Sequence, residues 1–164
     1  MKRDLAISYT SSDAGVRENR FKQLNDHHGH AAGDTTLAAS GARLSEWAGP
    51  RGVASRLGGD EFAVLTRIEP RHQGLRLEHL ARLMTRPVPY EDGLLPLSVS
   101  LGAATPAAVA SSDLPTLTRA ADAAMYEGKH TVSIVQARPD HVRVPSVNGR
   151  RYGRPGTAVQ GQPA

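Results

Sequence analysis

Cysteine is absent from the 164-residue chain. That excludes disulfide staples, thiolate nucleophiles and cysteine-based metal centres. A cysteine-free chain suits a reducing compartment, and a cytoplasmic protein is the expectation. Aromatic residues make up only 4%, so a core has to be assembled from Leu, Val and Ala instead of stacked rings. No apolar run approaches the roughly 18 residues that would span a bilayer. Met1-Lys2-Arg3-Asp4 is not followed by the apolar stretch that a secretory leader needs.

Net charge is missing from most of the chain as well. Residues 1–137 sum to zero, and the formal +4 of the whole arises from five arginines set against Asp140 beyond residue 137. The stretch Asn148 to Gly156 is rich in Gly, Arg and turn formers and poor in apolar residues. Residues 138–164 therefore read as a basic, disordered tail. Such a tail can touch nucleic-acid phosphates, although a solvated extension is the simpler expectation. The length suits one domain with one core.

In chain order, Leu5 to Thr10 reads as a strand and Ser11 to Gly15 as a loop. Phe21 to Asn25 predicts a short helical turn, and His27-His28-Gly29-His30 a polar connector. Asp34 or Thr35 is expected to cap the next helix, with Leu37, Gly41, Leu44 and Ala48 on its inner face and Gly49-Pro50 ending it. Leu77, Leu80, Ala81 and Met84 mark a second amphipathic helix, closed by Pro87 and Pro89. Pro89 to Gly93 suggests a small accessory hairpin, and Leu94 to Ala104 one strand. Asp113 and Pro115 open a third helix, with Leu117, Ala120, Ala121, Ala124 and Met125 as its stripe. Val132 to Ala137 reads as a last strand. The alternation predicts an α+β fold, an antiparallel sheet with helices packed on it.

Between two apolar runs lies Arg56-Leu57-Gly58-Gly59-Asp60-Glu61-Phe62. Glycines and an acid between strand-like segments predict a hairpin, because Gly and Asp tolerate positive φ. Upstream stand Phe21-Lys22-Gln23-Leu24-Asn25-Asp26 and Gly29-His30-Ala31-Ala32-Gly33-Asp34. Downstream, Ala120 to Lys129 reads AADAAMYEGK. These four strings in this order resemble the GGDEF domain of diguanylate cyclases, from about Phe21 to about Lys129.

The resemblance implies a cyclase/polymerase-palm, ferredoxin-like fold and the joining of two GTP into cyclic di-GMP by a homodimer with magnesium or manganese. It assigns Asp60 and Glu61 to catalysis and metal, Asn25 and Asp34 to the guanine edge, and Lys22 and Lys129 to the terminal phosphates. Phe21, Gly58 and Gly59 join them as substrate-binding positions. The chemistry agrees: carboxylates hold hard cations, an amide pairs with guanine's acceptors, and a carboxylate pairs with its N1–H and amine. The three histidines 27, 28 and 30 with Asp34 are metal-capable types, yet their spacing matches no structural zinc pattern.

Departures from the family's pattern are equally specific. Where it carries Asp-x-Asp at the end of its central strand, this chain has Arg17, Glu18 and Asn19. Val132 and Ser133 replace the family's late Gly and phosphate-binding Arg. Gly49 and Gly52 replace the Arg and Asp of its product-inhibition site. The chain thus looks like an N-terminally truncated or degenerate member, with a divergent segment 1–16, a domain 17–137 and a tail 138–164. Either Leu5 to Thr10 supplies a substitute central strand, or the sheet lacks one. The expected activity is weak or lost. The alternatives are a degenerate domain that binds GTP or a partner, and an unstable gene remnant.

Overall fold

A computed structural model describes residues 3–10, 20–128 and 134–144, with side chains from Phe21 onward. The elements run β1 (Arg3–Thr10), α1 (Arg20–His28), α2 (His30–Ala48), β2 (Val53–Gly58), β3 (Glu61–Ile68), α3 (Gln73–Met84), β4 (Val88–Tyr90), β5 (Gly93–Leu95), β6 (Ser100–Ala104), α4 (Pro106–Val109), α5 (Leu114–Glu127) and β7 (Val135–Gln136). Short 3₁₀ turns lie at Pro70–His72 and Pro139–Val142. Five strands form one sheet in the order β2-β3-β1-β6-β7, and β4 with β5 makes a separate two-stranded ribbon. All pairings are antiparallel except β6 with β7, which is parallel. The α+β class expected from the sequence is what is seen.

The central strand is present. β1 lies between β3 and β6, paired over Arg3↔Ile68 to Thr10↔Glu61 on one side and Ala6↔Ala104 to Thr10↔Ser100 on the other. Of the two alternatives left by the sequence, the segment before residue 16 supplies the strand. It belongs to the sheet of the domain and is not set apart from it.

Strand alternation sorts side chains onto two layers. Phe62, Val64 and Ile68 of β3 and Leu101 and Ala103 of β6 pack with Leu37, Leu44 and Trp47 of α2 and Leu77, Leu80 and Met84 of α3. Ala104 faces the other way, onto Leu117, Ala120, Ala121 and Ala124 of α5. A Cβ built on Gly102 would collide with the backbone of Ala121 and lie 2.8 Å from Met125 Cα. That glycine is what lets α5 lie so close to β6. Between α2 and α3, the Arg76 guanidinium stacks 4.6 Å over the Trp47 ring, and Trp47 Nε1 donates to the Arg76 carbonyl at 2.9 Å.

Several local expectations are corrected. The His27–His30 connector shrinks to Gly29 alone, whose φ of 83° turns α1 directly into α2. Asp34 and Thr35 consequently lie inside α2, whose N-cap is Gly29 with no side-chain cap. Leu94 to Ala104 is not one strand. β5 ends at Leu95 and β6 begins only at Ser100, because Pro96 cannot donate to a ladder. Residues 138–144 are no loose tail: the turn Pro139–Val142 buries His141 against the α5 side of the sheet. Ser11–Gly15 and Val132–Ser133 lie outside the described residues.

Candidate active site

The hairpin forms as its sequence demands. Gly58 and Gly59 adopt φ of 149° and 54°, values that favour glycine. A Cβ at either would meet nothing within 4 Å, so backbone conformation and not crowding requires them. Arg56 Nε donates to the Gly59 carbonyl at 2.8 Å and staples the turn, while the register slips between Arg56 and Gly58. Phe62, buried, anchors the hairpin under α2, where its ring lies 3.4 Å from the Cβ position of Gly41. Asp60 and Glu61 are both half-buried at the tip.

Register places this tip in the sheet. Thr10, the last residue of β1, is opposite both Glu61 and Ser100. The end of the central strand, the start of β3 and the start of β6 therefore share one end of the sheet with the two carboxylates. Asp60 and Glu61 offer hard oxygen ligands of the kind magnesium takes, with waters and substrate oxygens completing the shell. No described set of three His, Cys, Asp or Glu is arranged to hold a metal. His27, His28 and His30 are all exposed.

The guanine candidates sit on the two helices joined at Gly29. Asn25 is half-buried on α1, and its Oδ1 is fully buried with no hydrogen-bond partner. That oxygen rests in the space where a side chain at Gly33 would be: a Cβ there would overlap Oδ1 and lie 2.9 Å from Cγ. Asp34, the next residue, is exposed on the first turns of α2. The structure thus brings Asn25 and Asp34 to one helix junction. Phe21 packs on the main core and anchors α1. Lys22 is exposed and lines a groove of about 310 Å³ with Gln23, Asp26 and His27. By helical spacing Gln23, Asp26 and His27 lie away from Asn25, whereas Lys22, three residues before it, borders the Asn25 face. Lys129, Arg17, Glu18 and Asn19 lie outside the described residues.

Sequence reasoning passed over three contributors. Arg56 and Gly33 were visible inside their strings but carried no assigned role. The third is a cluster beside the end of α5. Glu127 accepts from Arg138 Nη2 at 2.7 and 2.9 Å, and its Oε2 lies 2.8 Å from His141 Nε2. The Arg138 backbone N–H donates to His141 Nδ1 at 2.9 Å, so Nε2 carries the ring proton and donates to Glu127. These bonds, His141's foremost, hold the Glu127 carboxyl below the usual carboxylate range. No single-residue pattern could have announced this cluster.

Residues 16–133 match the family described as "Diguanylate cyclase, GGDEF domain". The chain is 45% identical over 114 residues to an uncharacterized 19.3 kDa protein in the repSA 5′ region of Streptomyces ambofaciens, covering 68% of this chain and 59% of that protein. It is 36% identical over 140 residues to the diguanylate cyclase TpbB of Pseudomonas aeruginosa, covering 78% of this chain and 28% of TpbB. The chain therefore spans less than two thirds of these relatives' own length. A solved structure comprising only the GGDEF domain of TpbB superposes with a TM-score of 0.69 at 31% identity, covering 86% of this chain and 81% of that one. With its hairpin at the end of the central strand and its Asn25–Asp34 helix junction, the chain belongs to the GGDEF family of diguanylate cyclase domains.

Proposed function

We propose that this chain is a GTP-binding GGDEF domain that condenses two GTP into cyclic di-GMP at a much reduced rate. The observation that supports it best is the register of Thr10 with Glu61. It sets the Asp60-Glu61 tip beside the exit of the central strand, where a substrate's triphosphate and an attacking 3′-hydroxyl can be held together. In each condensation the 3′-oxygen bonds to an α-phosphorus, the bond to pyrophosphate breaks, and the hydroxyl proton is released. A divalent cation held by Asp60 and Glu61 would neutralise the triphosphate and acidify the hydroxyl. Asn25 and Asp34 read the base, Lys22 and Lys129 meet the terminal phosphates, and Gly58 and Gly59 admit the nucleotide to the backbone. Two GTP require two such sites, which two copies of the domain provide. Among the described residues no helix is long and apolar enough to cross a membrane.

Reduced rate follows from position 17, where a guanidinium stands in place of the family's ligand carboxylate. A fixed positive charge about 5 Å from a divalent cation is repelled by up to roughly 6–7 kcal/mol at an effective dielectric near 20. Without that carboxylate a cation there would also have one ligand fewer.

The test compares wild type with Arg17→Asp over a series of magnesium concentrations, measuring cyclic di-GMP formed from GTP. Slow turnover in wild type and a clear gain in Arg17→Asp, largest at low magnesium, is the expected result. Wild-type turnover of about 1 s⁻¹ or more, unchanged by Arg17→Asp, would remove position 17 from the metal. GTP bound without product in either protein would favour the degenerate binding domain, a reading that Arg17 itself supports.

A further inference from the structure

Three side chains of α1 are at least partly buried, Phe21, Leu24 and Asn25, at the i, i+3, i+4 spacing of one helix face. Each rests on something different. Phe21 packs on the main core, and Asn25 fills the space over Gly33. Leu24 packs on a separate small cluster made by Ala32 of α2, Val88 of β4 and Leu95 of β5, each 3% exposed or less. The β4–β5 ribbon and both helices of the junction therefore share one apolar cluster. It meets α1 one residue before Asn25 and α2 two residues before Asp34.

α1 has need of such a support. It is 9 residues long, and Gly29 alone joins it to α2; a glycine link is the least stiff a chain offers. A two-stranded ribbon is marginal by itself, but this one is fastened. From α2, Arg43 donates through Nη1 to the Arg86 carbonyl at 2.6 Å and through Nη2 to the Pro87 carbonyl at 2.9 Å, directly before β4. The planar fork of a guanidinium suits such a double hold.

We propose that the β4–β5 ribbon is a brace for base recognition: Leu95 and Val88, held down by Arg43, are positioning residues that fix α1 against α2 and so set the spacing of Asn25 and Asp34. They touch no substrate and act through Leu24 and Ala32. This rests on the reading that Asn25 and Asp34 meet the guanine edge. With the cluster emptied, α1 swings about Gly29, and Asn25 leaves its place beside Asp34. Lys22 rides on the same helix, so part of the loss falls on any nucleoside triphosphate. The ratio of GTP to ATP affinity isolates the base.

Affinities for both nucleotides are measured by titration calorimetry. Leu95→Ala and Arg43→Met are each expected to lower the ratio, Leu95→Ala about tenfold, the worth of one well-made hydrogen bond. Leu95→Met refills the volume and should keep the wild-type ratio. Thr66→Val loosens the fold away from the ribbon and should keep it too. A ratio unchanged in Leu95→Ala or Arg43→Met, or lowered as much by Leu95→Met or Thr66→Val, would overturn the proposal. Hydrogen exchange of the nucleotide-free protein gives a second readout. Amides of residues 21–28 should lose protection in Leu95→Ala while those of α5 keep theirs; no loss over α1, or an equal loss over α5, also overturns it.

Wild type that fails to bind GTP would refute the parent function and the specificity claim together. Exchange would still report whether the ribbon holds α1, so the two failures are told apart. Should Leu95→Ala not fold, Arg43→Met leaves the apolar cluster intact and carries both tests. If neither folds, the ribbon supports the whole domain and not α1, and the proposal fails.

Discussion

Two buried threonines on the same side of the sheet make opposite uses of a hydroxyl. Thr66 Oγ1 donates to the Ala48 carbonyl at 3.0 Å, where α2 ends. Thr36 is 1% exposed and its Oγ1 has no partner. Thr36→Val should therefore raise stability by about 1 kcal/mol and Thr66→Val should lower it by about as much. Urea midpoints moving in opposite directions at unchanged m would bear this out, and a loss in both would refute it. Glu127 offers a prediction of a different kind. Hydrogen bonds from His141 and then Arg138 depress its folded-state pKa. A depressed carboxylate contributes stability above its unfolded value and loses it as pH falls through the lower folded value. The stability gap between wild type and Glu127→Gln should thus be full at neutral pH and close as pH falls below about 4.5, the ordinary glutamate range. Denaturant titrations of both proteins from pH 7 to pH 3 read this directly, and a gap that widens in acid would contradict it.

At the scale of elements, close approach is the recurring device. Gly102→Ala would place a methyl group into the backbone of Ala121 and Met125, atoms that cannot swing aside as a side-chain end can. We expect a loss of about 3 kcal/mol, the upper end for overpacking a core, together with a weakened α5–β6 contact. Near-native stability by guanidinium unfolding would show that α5 can lift from the sheet at little cost. The elements themselves were legible to different degrees. Helix stripes such as Leu117, Ala120, Ala121 and Ala124 were clear, because burial follows the 3.6-residue period. The start of α2 was misplaced, since Asp34 looks like a cap wherever it stands and only the φ of Gly29 shows the turn to be earlier. Pro96 marked the break before β6 and was overridden by the apparent alternation around it.

For the whole molecule, the four strings carry family and fold together: two fall on the α1–α2 pair, one on the β2–β3 hairpin and one starts on α5. The candidate site was legible as far as residue types carry it: Asp60, Glu61, Asn25 and Asp34 can be named from their strings. What could not be read was long-range placement. That Thr10 meets Glu61, or that Gly33 makes room for Asn25, depends on register and packing that no local pattern encodes. The Glu127–Arg138–His141 cluster joins segments whose individual sequences look like a helix end and a solvated tail, and composition alone assigned the second to disorder.

The position of β1 also bears on how the chain comes to be folded. Of the described strands, the one that comes first in the chain sits in the middle of the sheet, and its partners are β3 and β6. Until Ala104 has emerged, Arg3–Thr10 can satisfy only one of its two edges, and before Ile68 neither. Its pairing closes long loops, the class of contact that is entropically dear and slow to form. During synthesis β1 is an open template for other chains until β6 arrives to shelter its second edge.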